Sequence, residues 1–359
     1  MSVFSPASRL ERLIYRHIRI IHVLKISLAL LIAHLINFCY PMPYLAWTSV
    51  TIVIIMLTLP QVGGALEKSI QRVIGTLCGA AYGIAILYVT QDPWLTALLA
   101  LLAIAFVTWR ASGKMSYAYL VAGFTLMIVL DGGEQGMSEA IWRTATILLG
   151  CFIAITVSQL VLPLRARNEW RWLLASALNG MAQVWLSHLS PNVYQPVRTK
   201  GRLKELERNI QRQRGLLRSV TLESRSLRHS QRELDLLVEA QGRCLLLIEL
   251  LAQSRWESHA SALAIEHHYP ISLRARSLAV WLDEAGDFCA GQRGVLPALE
   301  SIAELKQELT TQLMAQQDPA LNAYGYSWLI YQCGLQLALL DKLIRNLTRV
   351  NSGATPHES

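Results

Sequence analysis

The chain has 359 residues, of which 53% are hydrophobic and 16% charged, with a formal net charge of +8; its mean hydropathy is +0.32. That apolar load is more than a soluble domain of this length carries, and it excludes an intrinsically disordered chain. The apolar residues concentrate before about Leu164, after which Arg, Glu, Gln and Ser dominate with leucines at helical spacing, so the chain reads as two domains.

The first 22 residues hold Arg9, Arg12, Arg16, Arg19, His17 and His22 and no small-residue cleavage site. They read as a basic cytosolic N-terminal segment (residues 1–22) and not as a removable signal peptide. Six apolar runs follow within a transmembrane domain over residues 23–164: roughly Val23 to Tyr40, Tyr44 to Leu59, Val73 to Thr90, Trp94 to Trp109, Tyr117 to Leu130 and Thr144 to Leu164. Several are shorter than the ~20 residues that span a bilayer comfortably. Six in close succession nevertheless leave no amphipathic shell to bury them, which predicts six spans.

Lysines and arginines give the orientation. With a cytosolic N-terminus, the inside segments hold Arg9, Arg12, Arg16, Arg19 and Lys25, then Lys68 and Arg72, then Arg110 and Lys114, then Arg165, Arg167 and Arg171. The outside loops hold only Arg143. Residues 165–359 then form a cytosolic domain, so both termini are expected on that side.

Cysteines 39, 78, 151, 244, 289 and 333 are scattered singly, with no C-x-x-C or zinc spacing. The chain also lacks a phosphate-binding glycine loop, a nucleophile elbow and an H-E-x-x-H. No metal, cofactor or enzyme activity is expected. In "GTLCGAAYG", Gly75, Gly79 and Gly83 recur every fourth residue, the spacing of close helix packing in a membrane.

A shift of 71 residues lays "RVIGTLCG" (Arg72 to Gly79) on "RTATILLG" (Arg143 to Gly150), pairing Arg with Arg and Gly79 with Gly150. Each copy opens the third span of a three-span set, and an odd number of spans per copy forces opposite orientations. This predicts a 3+3 inverted repeat, a plan shared by many secondary transporters. A guanidinium beside the free amides of a helix N-terminus would suit a carboxylate, and two such ends facing each other would make an anion path. The competing reading has Arg72 and Arg143 reach headgroups, or pair with Glu67 and Glu139.

"WTSVTIVIIMLTLPQVGGALEKSIQRVIGT" (Trp47 to Thr76) resembles the signature region shared by the bacterial fusaric-acid-resistance and aromatic-acid-exporter proteins and the plant aluminium-activated malate transporters. Trp47, Thr51, Val62, Gly63, Leu66, Lys68, Arg72, Gly75 and Thr76 fill its pattern, and Arg143, Thr146, Ile147 and Gly150 fill R-x-x-T-I-x-x-G. The resemblance implies six spans, a helical cytosolic domain, export or conduction of organic anions across a bacterial inner membrane, and a homodimer. This chain carries one copy of the membrane unit where the longer bacterial exporters carry two.

In the cytosolic half, Leu234, Leu237, Val238, Leu245, Ile248 and Leu251 form one apolar stripe, and Trp328, Tyr331, Leu335, Leu339, Leu343 and Leu347 another. Both predict a helical bundle, with the second stripe contributing contacts across a homodimer axis. Between Arg198 and Arg232 the chain is strongly basic and lacks interleaved aromatics. It reads as a solvated face near anionic lipid or as an anion-attracting vestibule, and not as a nucleic-acid site.

The expected fold is therefore an all-α membrane protein, six transmembrane helices as a 3+3 inverted repeat followed by a cytosolic helical bundle. Two functions stay open. One is a transporter or channel exporting small organic anions, with Arg72 and Arg143 as substrate-binding residues, Lys68 and Lys25 as secondary contributors, and Gly75, Gly79, Gly83 and Gly150 in helix packing. The other is a membrane-anchored scaffold or regulator acting through the cytosolic domain. Partners expected are the anion, the bilayer and a second copy of the chain. Proton coupling would draw on His34 or Glu67, the ionisable side chains available for it in the spans.

Overall fold

Leu, Ile, Val and Ala in runs little interrupted by proline favour helix wherever the backbone must satisfy its own hydrogen bonds, and helix is what the chain forms. The computed structural model describes residues 17–58, 62–131, 136–189, 196–256, 269–314 and 321–351, and no strand occurs among them. The chain divides into two units, with the boundary between Ala166 and Arg167.

The first unit contains α1 (Ile18–Cys39), α2 (Ala46–Thr58), α3 (Val62–Val89), α4 (Pro93–Arg110), α5 (Ser116–Asp131) and α6 (Gly136–Leu160). Four of them are long and apolar enough to cross a membrane: α1, α3, α4 and the Ile141–Leu160 portion of α6. The other two, α2 and α5, are apolar but shorter. At 1.5 Å per residue they reach about 20 and 24 Å, less than the ~30 Å hydrocarbon core.

Local signals account for several helix ends. Pro93 occupies the first turn of α4, where its missing N–H is harmless, and the Asp92 carboxylate accepts from the Trp94 amide at 3.2 Å. After α6 the backbone turns left-handed at Leu162, with φ 43°. The Val62 amide at the start of α3 donates to the Leu164 carbonyl at 3.0 Å.

Two boundaries differ from expectation. Residues 18–22, assigned by sequence to the N-terminal segment, already belong to α1. The third helix begins at Val62, not Val73, because Lys68, Gln71 and Arg72 break the apolar run without breaking the helix. Gln71 and Arg72 turn inward and are buried.

Helix pairing rests on glycines. A Cβ on Gly75 would meet the Ala118 carbonyl and Val121, one on Gly79 the Ala122 carbonyl and Thr125, and one on Gly83 Val129. Contacts that advance together along both helices make α3 and α5 parallel. Likewise α2 and α6 run parallel: Trp47 meets Arg143, Thr48 Oγ1 donates to the Thr146 carbonyl at 2.9 Å, and a Cβ on Gly150 would meet the Thr48 carbonyl at 2.8 Å and Thr51. α3 and α6 also pack on each other. Ala29, Ala33, Ile52, Ile55, Ile147 and Ala154 lie in the core joining α1, α2 and α6.

The second unit contains α7 (Ala166–Leu189), α8 (Pro196–Glu223), α9 (Arg225–His229), α10 (Gln231–Trp256), α11 (Tyr269–Ala290), α12 (Ile302–Met314) and α13 (Leu321–Asn351). Trp170, Leu174, Leu178, Met181 and Trp185, spaced by three and four, are fully buried on α7. Between α8 and α10 the buried amides of Gln213 and Gln241 exchange hydrogen bonds at 3.0 and 3.1 Å. Gly286 on α11 receives the Asn179 side chain in the space a Cβ would fill.

The face of α13 that enters the core is Tyr326, Ile330, Cys333, Leu337, Leu340, Ile344 and Leu347. The stripe read from sequence is thus displaced around the helix. Leu343 and Leu347 are buried, Tyr331 and Leu339 are half-buried, and Trp328 and Leu335 are exposed, Trp328 by 58%. A helix of 31 residues with apolar side chains on more than one face offers two stripes to the eye, and packing against α10 selects one.

Candidate functional site

Charged side chains rarely enter an apolar bundle unless something engages them. Lys25, Arg72 and Arg143 are each 1% exposed. Arg72 lies in the third turn of α3 and Arg143 in the second turn of α6. This corrects the expectation that each guanidinium sits beside the free amides of its own helix start. Arg72 is about 15 Å along α3 from Val62, beyond the reach of the end dipole.

Aromatic rings take the place of those amides. Arg72 Nη1 donates to the Tyr117 hydroxyl at 3.1 Å, and its Cζ lies 5.3 Å from the centroid of Phe124. Arg143 Cζ lies over Trp47, 3.8 Å from the ring centroid, and 6.0 Å from that of Phe124. Lys68, one turn before Arg72, is half-buried with Nζ 5.5 Å from the Tyr117 centroid. Cation–π contacts of this kind contribute about 2 kcal/mol or more when desolvated. Glu67 accepts from Gln71 Nε2 at 3.0 Å. Glu139 lies outside the residues whose side chains are described.

The unused donors of Arg72 have a direction. With Nη1 on Tyr117, Nε and Nη2 have no hydrogen-bond partner among the described residues, and both are buried. These two N–H groups form the parallel edge of the guanidinium fork, the edge that takes both oxygens of one carboxylate. The buried hydroxyls of Thr76 on α3 and Thr125 on α5 also have no partner among the described residues. Buried polar atoms of this sort are few in folded proteins and call for water, an ion or a ligand.

Lys25 stands apart from this group. Its Nζ donates to the Ser158 carbonyl at 3.1 Å and the Leu162 carbonyl at 3.4 Å, at the C-terminal end of α6. Arg143 and Ser158 are separated by about 22 Å along that helix, so Lys25 is not brought to the arginines. An ammonium there meets the carbonyls a helix end leaves unpaired. His34 Nδ1 is 2.9 Å from the Leu30 carbonyl, within its own helix. Gly75, Gly79, Gly83 and Gly150 occupy the contacts described above, the first three C-terminal to Arg72 on α3 and the last C-terminal to Arg143 on α6.

Sequence reasoning found the two arginines and missed what engages them. Trp47 enters the family pattern without an assigned role, and Tyr117 and Phe124 look like any aromatic facing lipid. The available signal was polar spacing: Ser69, Arg72 and Thr76 share one face of α3, and Phe124 lies two turns beyond Tyr117 on α5.

Comparison with known proteins adds three findings. The model of the fusaric acid resistance protein family matches residues 19–359. Inner membrane protein YeeA of Escherichia coli K12 is 27% identical over 349 residues, covering 94% of this chain and 96% of that protein. Uncharacterized transporter YdhK of Escherichia coli K12 is 30% identical over 112 residues, 30% of this chain and 16% of that longer protein.

Proposed function

The chain belongs to the fusaric acid resistance protein family, and from that premise we propose that it is an inner-membrane transporter or channel that exports small organic anions, aromatic or other carboxylates among them. The observation that carries this reading is the buried Nε–Nη2 edge of Arg72, open among the described residues and set in a layer with a second buried arginine. A dry guanidinium holding two parallel donors toward no carboxylate is a site prepared for one, since an anion entering the bundle needs a charged partner to replace its water. The names of YeeA as an inner membrane protein and of YdhK as a transporter support the setting.

In this reading α1 to α6 all span the membrane as a 3+3 inverted repeat, with both termini cytosolic and residues 165–359 as a cytosolic helical domain. Exchanging the two triplets would swap the α3–α5 pair with the α6–α2 pair. Support comes from Gly79 against the Ala122 carbonyl and Thr125, matched by Gly150 against the Thr48 carbonyl and Thr51. The short helices α2 and α5 are the second of each triplet and carry Trp47 and Phe124. Short apolar segments at matched places are where such repeats build their sites. A homodimer completes the proposal, with the exposed Trp328 and Leu335 of α13 available to it.

The deciding experiment is counterflow of carboxylates in proteoliposomes, with and without a pH gradient. Uptake that disappears in Arg72→Gln sustains the reading. Equal uptake by wild type, Arg72→Gln and Arg143→Gln at normal expression reduces the arginines to topology determinants, and no uptake by wild type above protein-free liposomes transfers the function to the cytosolic domain as a scaffold.

A further inference from the structure

A guanidinium can offer a carboxylate either of two donor pairs, Nη1 with Nη2 or Nε with Nη2, and an untethered arginine head turns between them. At Arg72 that choice is already made. Its Nη1 donates to the Tyr117 hydroxyl at 3.1 Å, while Nε and Nη2, both buried, have no hydrogen-bond partner among the described residues. Nε–Nη2 is thus the pair with both members open among those residues.

The phenol is itself held from two sides. Ala118, the residue after Tyr117, supplies the carbonyl that a Cβ on Gly75 would strike, and Gly75 lies one turn beyond Arg72 on α3. The close approach of the two helices therefore fixes the backbone that carries the phenol. Lys68 Nζ lies 5.5 Å from the ring centroid. Neither contact involves the hydroxyl, which is left to serve the arginine. It accepts from Nη1 without neutralising the charge, as a carboxylate in its place would. An arginine head that swings freely must be immobilised whenever an anion binds, and tying it beforehand removes that entropic cost.

Resting on the transport reading above, we propose that Tyr117 is a positioning residue of the anion site: its hydroxyl ties Nη1 so that the Nε–Nη2 edge of Arg72 stands ready for the two oxygens of one carboxylate. It acts through Arg72 and brings no charge of its own. A hydroxyl with only a structural role would serve the fold whatever side chain stood opposite it. A positioning hydroxyl matters to the anion only while the fork is there.

The test is Tyr117→Phe, which removes the hydroxyl and keeps the ring that Lys68 faces, measured on the full-length protein with benzoate as probe. In proteoliposomes the half-saturating benzoate concentration should rise about tenfold, with the maximal rate within about twofold of wild type. That factor is what is lost when one of two parallel charge-assisted bonds is no longer held in place. In an Arg72→Lys background, which has no fork to orient, the same substitution should change half-saturation by less than about twofold. In detergent, Tyr117→Phe should need about ten times more benzoate than wild type for the same rise in thermal midpoint, and Arg72→Gln should show no rise. A wild-type half-saturation in Tyr117→Phe, or an equal rise in the Arg72→Lys background, overturns the positioning role and leaves transport standing. Wild type that takes up no benzoate above protein-free liposomes, yet is stabilised by it with the expected dependence on Tyr117 and Arg72, overturns transport and keeps the positioned anion site. No uptake and no stabilisation overturns both.

Discussion

Arginine is treated differently in the two units. In the C-terminal unit several arginines meet carboxylates: Arg274 reaches Glu300 at 2.7 Å and Glu308 at 2.6 Å, Arg212 holds the buried Glu169, and Arg345 bonds Asp341 at 2.7 Å and the Pro297 carbonyl at 3.0 Å, while the buried Arg171 has its Cζ 6.0 Å from the Trp172 centroid. In the N-terminal unit Arg72 meets a phenol and a phenyl ring. An acid partner would close the fork, whereas a ring holds the charge and leaves the donors available. On the proposed transport reading, an open fork is what an anion that comes and goes would need.

The contrast is broken most directly at Arg72. Arg72→Gln should lower carboxylate flux about a hundredfold or more with assembly intact, because the neutral amide cannot replace a charged two-point contact. Arg72→Lys should keep part of the flux with altered selectivity, since charge survives and the planar fork does not. Flux in proteoliposomes together with elution from a sizing column separates these outcomes from misfolding.

The next effect compares glycines. Gly79→Leu must displace the Ala122 carbonyl and Thr125, so it should cost about 3 kcal/mol or more and sharply reduce the yield of folded protein. Gly215 on α8 has open space around its missing Cβ, and Gly215→Ala should stabilise the C-terminal unit by about 0.5–1 kcal/mol. Opposite signs in a thermal-shift assay mark the difference between a packing glycine and an idle one.

The Gln213–Gln241 pair sharpens the comparison from the other side. Gln213→Leu removes both bonds across to Gln241, leaving its Oε1 without the Gln213 donor, and should lower stability by about 1–3 kcal/mol, while the double leucine variant should recover most of it. A double-mutant cycle by denaturant melting reads the coupling. At the small end, Arg243→Ala on the exposed Glu239–Arg243 pair should change stability by no more than about 0.5 kcal/mol.

Alkaline pH should also distinguish the C-terminal unit. Burial pushes the Cys244 thiol up to about 12, and it raises the thiols of Cys289 and Cys333 as well. The folded state keeps protons that the unfolded chain releases from about pH 9, so this contribution to stability is intact below that pH and is lost as pH rises toward 12. A thermal midpoint of the C-terminal unit independent of pH between 8 and about 11 would contradict this.

Much of this was legible in the residues. Apolar runs gave the helices of the first unit, and the two arginines singled out by their matched places are both buried. The start of α3 was not legible because hydropathy drops at Lys68, Gln71 and Arg72, although a helix continues through polar residues when a neighbour covers them. The rings were not legible because Phe124 reads alike facing lipid or facing arginine; only the parallel approach of α3 and α5 decides between them. Lys25 was misread in company for a similar reason: its charge is visible in the sequence, but the carbonyls it meets lie 133 residues downstream.

That separation bears on synthesis. Until Ser158 has been made, the Lys25 ammonium has no carbonyl of α6 to donate to, and at ribosomal rates of about 5–20 residues per second the wait is on the order of ten seconds. The first helix must therefore wait without that partner while the rest of the first unit is made. The sixth helix completes that unit by accepting from the Lys25 ammonium, so a chain truncated before Ser158 is expected to leave Lys25 open to a lysine reagent in detergent, and the complete chain to protect it.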